Sequence, residues 1–144
     1  MQAPIHIDYP AGLTAVHFIL LRLARGNDVV CSNFYWRGVE EGNSQSLRTL
    51  PKATVHAATS VERVDRRWRL ITTLHNTSAT PALMVHVKAV REKSGDRVLP
   101  ALYSDNYIAL MPGEWRTIHT EVDDADTHGE TPRIAMEGFN VIAR

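Results

Sequence analysis

The chain has 144 residues, a length that suits one domain with its own hydrophobic core. Its 16 Lys and Arg balance its 16 Asp and Glu, so no excess charge attracts phosphate backbones or anionic lipids. Neither nucleic acid nor a membrane surface is therefore expected as a partner. The single cysteine, Cys31, excludes an internal disulfide and is expected to be a small buried apolar side chain.

The first predicted elements form a β-hairpin. Residues 15–24 are almost continuously apolar, and the turn residues 25–28 lead into a second apolar run at 29–36. Residues 1–12 are interpreted as a lead-in or linker, with the domain itself at 13–144. The polar segment after Trp36 is interpreted as a crossover loop, in which 40–47 could hold one helical turn.

A second hairpin is predicted from 54–62 and 68–75, which are rich in β-branched residues. Residues 83–90 then alternate, which predicts a strand with one face in the core. The side chains predicted to point inward are those of Leu83, Val85, Val87 and Ala89. Those predicted to point outward are Met84, His86, Lys88 and Val90.

The remaining short strands are predicted at 98–103, 106–110 and 115–122, followed by 133–137 and 139–142 on either side of Gly138, a bulge or kink. Short strands separated by turn residues, without a long amphipathic helix, indicate two packed sheets. The predicted fold is therefore all-β, a sandwich of two antiparallel sheets with about 7 to 9 strands.

Two motifs in a fixed order carry a family resemblance. The first is Ser-Asn-Phe-Tyr-Trp at 32–36, and the second is Tyr-Ser-Asp-Asn-Tyr at 103–107, followed by Leu-Met-Pro-Gly-Glu at 110–114. With the closing Glu-Gly-Phe-Asn-Val at 137–141, the chain resembles the C-terminal immunoglobulin-like domain of glycoside hydrolase family 2. Within that family it is most similar to the β-mannosidase and exo-β-D-glucosaminidase branch.

The resemblance implies an immunoglobulin-like sandwich without a catalytic residue or cofactor of its own. Catalysis is expected in a separate barrel domain, since retaining glycosidases need two supported carboxyl groups about 5–5.5 Å apart. The acids of this chain fall mainly in predicted turns and loops. The implied partners are the other domains of a larger hydrolase, expected to be secreted or periplasmic, with an oligosaccharide as a second candidate.

Five residues are candidates for ligand contact: Tyr35, Trp36, Asp105, Asn106 and Tyr107. Aromatic faces can pack against pyranose rings, but the favoured interpretation is that Phe34 and Trp36 face the core while Tyr35 faces the opposite way. Asp105 and Asn106 could instead satisfy backbone groups at a strand break. Tyr107 could be a corner tyrosine whose hydroxyl bonds to the backbone.

The alternative function is a carbohydrate-binding sandwich that uses exposed aromatic residues, drawn from Tyr35, Trp36, Trp68, Tyr103, Tyr107 and Trp115. No metal site is predicted, because the acidic segment 123–128 lacks the glycine and distal glutamate of a calcium loop. The third function class is an independent enzyme, but the sequence contains no nucleophile motif that supports it.

Overall fold

The computed structural model describes residues 11–38 and 45–144, which form ten strands and two short 3₁₀ helices, Gln45–Thr49 and Ala125–Thr127. None of the described helices is long and apolar enough to cross a membrane. Most of the predicted lead-in and residues 40–44 of the predicted helical turn lie outside the described residues. The strands are β1 (Val16–Arg25), β2 (Asp28–Gly38), β3 (Ala53–Val64), β4 (Arg67–Asn76), β5 (Ala82–Arg91), β6 (Ala101–Tyr103), β7 (Ile108–Leu110), β8 (Trp115–Asp123), β9 (Pro132–Glu137) and β10 (Val141–Ala143).

The chain divides into two compact units between Leu50 and Pro51. In the first unit, β1 and β2 form the predicted antiparallel hairpin, with an irregularity in register between Leu23 and Ala24. The expectation that Cys31 is buried is wrong: its side chain is exposed, because the whole turn end of β2 lies at the surface.

The second unit is a sandwich of a five-stranded sheet, in the order β10-β3-β4-β8-β6, and a three-stranded sheet, in the order β7-β5-β9. Its core contains the inward side chains of both sheets: Val55, Leu74, Val85, Val87, Leu110 and Ile118. This arrangement confirms the predicted all-β sandwich. The prediction of purely antiparallel sheets is wrong in one place, since β10 pairs with β3 in parallel after the chain changes sheets beyond β9.

Strand β5 depends on side chains along one edge. On that edge β7 pairs with it only at Ala82 and Val85, so the strand beyond Val85 lacks a regular neighbour. Asn106 replaces that neighbour: its Oδ1 accepts from the Val87 N–H at 2.9 Å and its Nδ2 donates to the Val87 carbonyl at 3.0 Å. The Tyr103 hydroxyl accepts from the Ala89 N–H at 2.9 Å. Buried backbone donors need such partners, so these side chains complete the sheet.

Asn140 supplies a hydrogen-bond partner for the backbone at the start of β5. Its side chain is buried, with 2% exposure. Its Oδ1 accepts from the Leu83 N–H at 2.9 Å, and its Nδ2 donates to the carbonyls of Pro51 and Pro81, both at 2.9 Å. One amide therefore joins three segments that are distant in sequence.

Replacing Asn140 with alanine should lower the free energy of unfolding by about 2–4 kcal/mol, because a buried donor and two carbonyls lose their partners. Chemical denaturation of the variant measures this loss. Asn33→Ala, which removes an exposed amide, is the matched control and should change stability by less than about 0.5 kcal/mol. Equal stability of the Asn140 variant and the control would contradict this role.

Candidate functional site

Tyr35 and Trp36 lie on β2 of the hairpin. Neighbouring residues on a strand face opposite sides, and the register places Tyr35 beside Ile19 and Trp36 beside Phe18. Both side chains are exposed. The interpretation that Trp36 faces the core is wrong, because 44% of Trp36 is exposed. Phe34 is half-buried and stacks on Phe18, with ring centroids 5.5 Å apart.

Asp105 and Asn106 form part of the loop between β6 and β7. The Asp105 carboxylate accepts from the Asn106 N–H at 2.9 Å and contacts Arg116 at 3.4 Å. Asn106 binds the backbone of β5, as described above, and also accepts from the Tyr107 N–H at 3.1 Å. The hydrogen-bonding groups of Asn106 are thus used within the fold.

Tyr103 and Tyr107, both candidates for exposed aromatic residues, differ in their contacts. The interpretation of Tyr107 as the residue whose hydroxyl bonds to the backbone is wrong, since Tyr103 makes that contact. Tyr107 is 61% exposed, and its ring lies flat on the imidazole of His86, with centroids 4.2 Å apart and an angle of 11° between planes. The exposed aromatic face at this end of the sandwich therefore belongs to Tyr107.

His86 connects Tyr107 to an ion pair. Although the alternation of β5 predicts an outward His86, the side chain is buried, because the Tyr107 ring covers it. Its Nδ1 lies 3.2 Å from Oε1 of Glu137, whose Oε2 accepts from Nζ of Lys88 at 2.6 Å. We call Lys88, His86, Tyr107 and Glu137 the β5 surface cluster. Of the other predicted outward side chains, Met84 is exposed and Val90 is buried.

Two glutamates of the sandwich, Glu137 and Glu130, have a lowered pKa. A general acid at neutral pH needs a raised pKa. Hydrogen bonds from Lys88 and His86 lower the pKa of Glu137 instead. Backbone N–H groups of Ser94 and Lys93 likewise lower the pKa of Glu130. Both carboxyl groups are therefore ionised at neutral pH and act as acceptors.

A second exposed aromatic face lies on the five-stranded sheet. Trp115 is 62% exposed, and its ring stacks on His75 with centroids 3.8 Å apart and an interplanar angle of 7°. In the acidic segment, Asp124 accepts from Arg63 at 2.6 Å and from the Trp68 indole at 2.9 Å. Within residues 11–38 and 45–144, no three His, Cys, Asp or Glu side chains are grouped as a metal site would require.

Sequence reasoning missed His86, Lys88 and Glu137 as members of a cluster. Lys88 and His86 lie on the predicted outward face of one strand, which is a usable signal. The contacts of His86 and Lys88 with Glu137 have no such signal, because these residues of β5 lie 51 and 49 positions before Glu137 on β9.

Similarities to known proteins agree with this fold. A family model described as the exo-β-D-glucosaminidase Ig-fold domain matches residues 33–141. The exo-β-D-glucosaminidase of Streptomyces avermitilis is 32% identical over 110 residues, which cover 74% of this chain and 12% of that protein. A mannosylglycoprotein endo-β-mannosidase of Lilium longiflorum is 37% identical over 70 residues, which cover 44% of this chain and 7% of that protein.

Among solved structures, the exo-chitosanase of Amycolatopsis orientalis matches with a TM-score of 0.81 and 25% identity, over 91% of this chain and 18% of that chain. The chain therefore spans less than a fifth of each of these relatives. The matches confirm the predicted immunoglobulin-like sandwich and the resemblance to the glucosaminidase and β-mannosidase branch.

The lowered pKa of Glu137 predicts a pH-dependent contribution to stability. A carboxyl group with a lowered folded-state pKa stabilises the fold fully above its ordinary value of 4.5, and this contribution is lost as the pH falls through the folded-state value. Glu137→Gln should therefore lower the melting temperature at pH 7 and have a smaller effect at pH 3. Glu92→Gln, at an exposed position, is the control, and an equal effect of Glu137→Gln at both pH values would contradict the assignment.

Proposed function

The chain belongs to the exo-β-D-glucosaminidase Ig-fold domain family, and from this we propose that it is a non-catalytic C-terminal accessory module of a larger family 2 glycoside hydrolase. The parent enzyme would act on β-glucosaminides or β-mannosides. The module would pack on neighbouring domains of that enzyme and stabilise them.

The observation that carries this proposal is the match of the family model over residues 33–141 in a chain that spans only 12% of its Streptomyces avermitilis relative. The contacts of the motif residues support it. Tyr103, Asn106 and Asn140 direct their polar groups to the backbone of β5 rather than to an open site. An accessory domain does not need polar groups directed to an open site, but it requires residues that stabilise its fold.

The hairpin supports a packing role. Two-stranded hairpins are marginally stable in water on their own, and a sheet that is apolar on both faces needs cover on both. Leu21 and Leu23 are exposed on β1, as are Val29 and Val30 on β2. Exposed apolar groups of this kind mark protein-protein contacts when they are contiguous. The proposed neighbours are the other domains of the hydrolase.

The substitution Leu23→Glu tests the packing role in the complete polypeptide that carries this chain. A buried unpaired carboxylate is costly, so the variant should lower the melting temperature of the complete enzyme but not that of the 144-residue chain alone. Leu102→Glu is the matched control, because Leu102 on β6 is 67% exposed and Leu23 is 65% exposed. It should change neither melting temperature.

Two outcomes would contradict the proposal. The first is an equal effect of Leu23→Glu on the complete enzyme and on the chain alone. The second is hydrolysis of a nitrophenyl β-glucosaminide or β-mannoside by the purified 144-residue chain, lost when one of its acids is replaced.

A further inference from the structure

The Tyr107 ring is held as a fixed platform. One face is covered by His86, which is buried and nearly parallel to it, so the opposite face is directed to solvent. The hydroxyl that bonds to the backbone of β5 is that of Tyr103, not that of Tyr107. Flat, rigid aromatic faces of this kind pack against the C–H faces of sugar rings at low cost in side-chain entropy.

The backbone at Tyr107 is strained, with φ at 55°. Positive φ is unfavourable for a bulky side chain, and residues kept in this region cluster at ligand contacts. Met84, two residues from His86 on β5, also has a positive φ, 52°, and an exposed side chain. Asn106 helps to hold Tyr107 through the hydrogen bond to its N–H. The local structure thus maintains an exposed ring at an energetic cost.

The cluster also supplies polar groups beside the ring. The Glu137 side chain remains 57% exposed while one oxygen contacts His86 and the other Lys88. A carboxylate has about four lone-pair sites, so acceptor capacity remains for the hydroxyls of a ligand. Because the Lys88 and Glu137 charges cancel, this ion pair adds no net charge with which to select a cationic or anionic ligand.

From these contacts we infer that the β5 surface cluster is a shallow binding site for one neutral pyranose unit of a β-linked oligosaccharide. The ring stacks on the free face of Tyr107, and its hydroxyls donate to Glu137 and accept from Lys88. This site goes beyond the packing role proposed above and does not require it. A single stacked ring with few polar contacts gives weak binding, on the order of millimolar.

The test is an NMR titration of the ¹⁵N-labelled 144-residue chain with the neutral trimers of β-1,4-linked N-acetylglucosamine and mannose, and with the cationic trimer of glucosamine. At least one neutral trimer should produce saturable shifts at Tyr107, His86 and Lys88. Tyr107→Ala should weaken binding by about five- to tenfold through loss of the stacked ring. Tyr107→Phe keeps the ring and should bind within about twofold of the wild type.

Trp115 provides the matched control. It is as exposed as Tyr107 and stacks on a histidine in the same way. Trp115→Ala should therefore leave the dissociation constant unchanged if binding depends on the cluster rather than on any exposed ring. Glu137→Gln should weaken binding at pH 7 by removing the carboxylate.

Three results would overturn the inference: no saturable shift with either neutral trimer, equal weakening by Tyr107→Ala and Trp115→Ala, or tighter binding of the cationic trimer than of the neutral ones. None of these results bears on the melting temperatures that test the packing role, so the two proposals fail separately.

Discussion

The hydrogen bonds from side chains to the backbone of β5 are the constraint on which the sandwich depends. β5 lies at the centre of the three-stranded sheet, yet one of its edges has a strand neighbour over only part of its length. Asn140, Asn106 and Tyr103 accept from the N–H groups of Leu83, Val87 and Ala89, respectively. Each buried N–H without a partner would cost about 1–3 kcal/mol, which is a large share of the stability of a small domain.

This constraint explains why a recognisable motif need not mark an active site. In the segment 103–107, Tyr103 and Asn106 are used by the backbone of β5, and Asp105 by a turn and by Arg116. Tyr107 differs from them, because its ring is exposed and its backbone conformation is strained. The loop in which the neighbouring polar groups are hydrogen-bonded therefore leaves the Tyr107 ring exposed to solvent. Both proposed roles, packing on other domains and contact with a sugar, therefore rest on exposed surfaces of the chain.

Period-two alternation and turn residues predicted most of the strands. Leu70, Thr72 and Leu74 are buried on one face of β4, as their spacing indicates, because alternate side chains of a strand point to the same face. The burial of His86 and the exposure of Cys31 could not be predicted in this way. They depend on the surroundings of each position: the Tyr107 ring covers His86, whereas Cys31 lies in the exposed turn end of β2.

Local sequence patterns could not predict the contacts between segments that are distant in sequence. Asn140 binds Leu83 across 57 residues and Pro51 across 89, and no spacing rule connects them. The parallel pairing of β10 with β3 also depends on a distant relation, because the chain passes from one sheet to the other after β9. The motif at 137–141 indicated the family through its order in the chain, but the role of its asparagine became visible only when the neighbouring backbone groups were located.

Side chains hydrogen-bond to the backbone of β5 and thereby hold the sandwich together. Amide hydrogen exchange in Asn106→Ala and Tyr103→Phe tests this claim most directly. Asn106→Ala should remove protection at Val87, and Tyr103→Phe should remove it at Ala89, because each variant deletes the acceptor of one N–H. In both variants the amides that β9 donates within the β5–β9 ladder should keep their protection. Unchanged protection at Val87 and Ala89 in both folded variants would show that β5 does not depend on these side chains and would contradict the account.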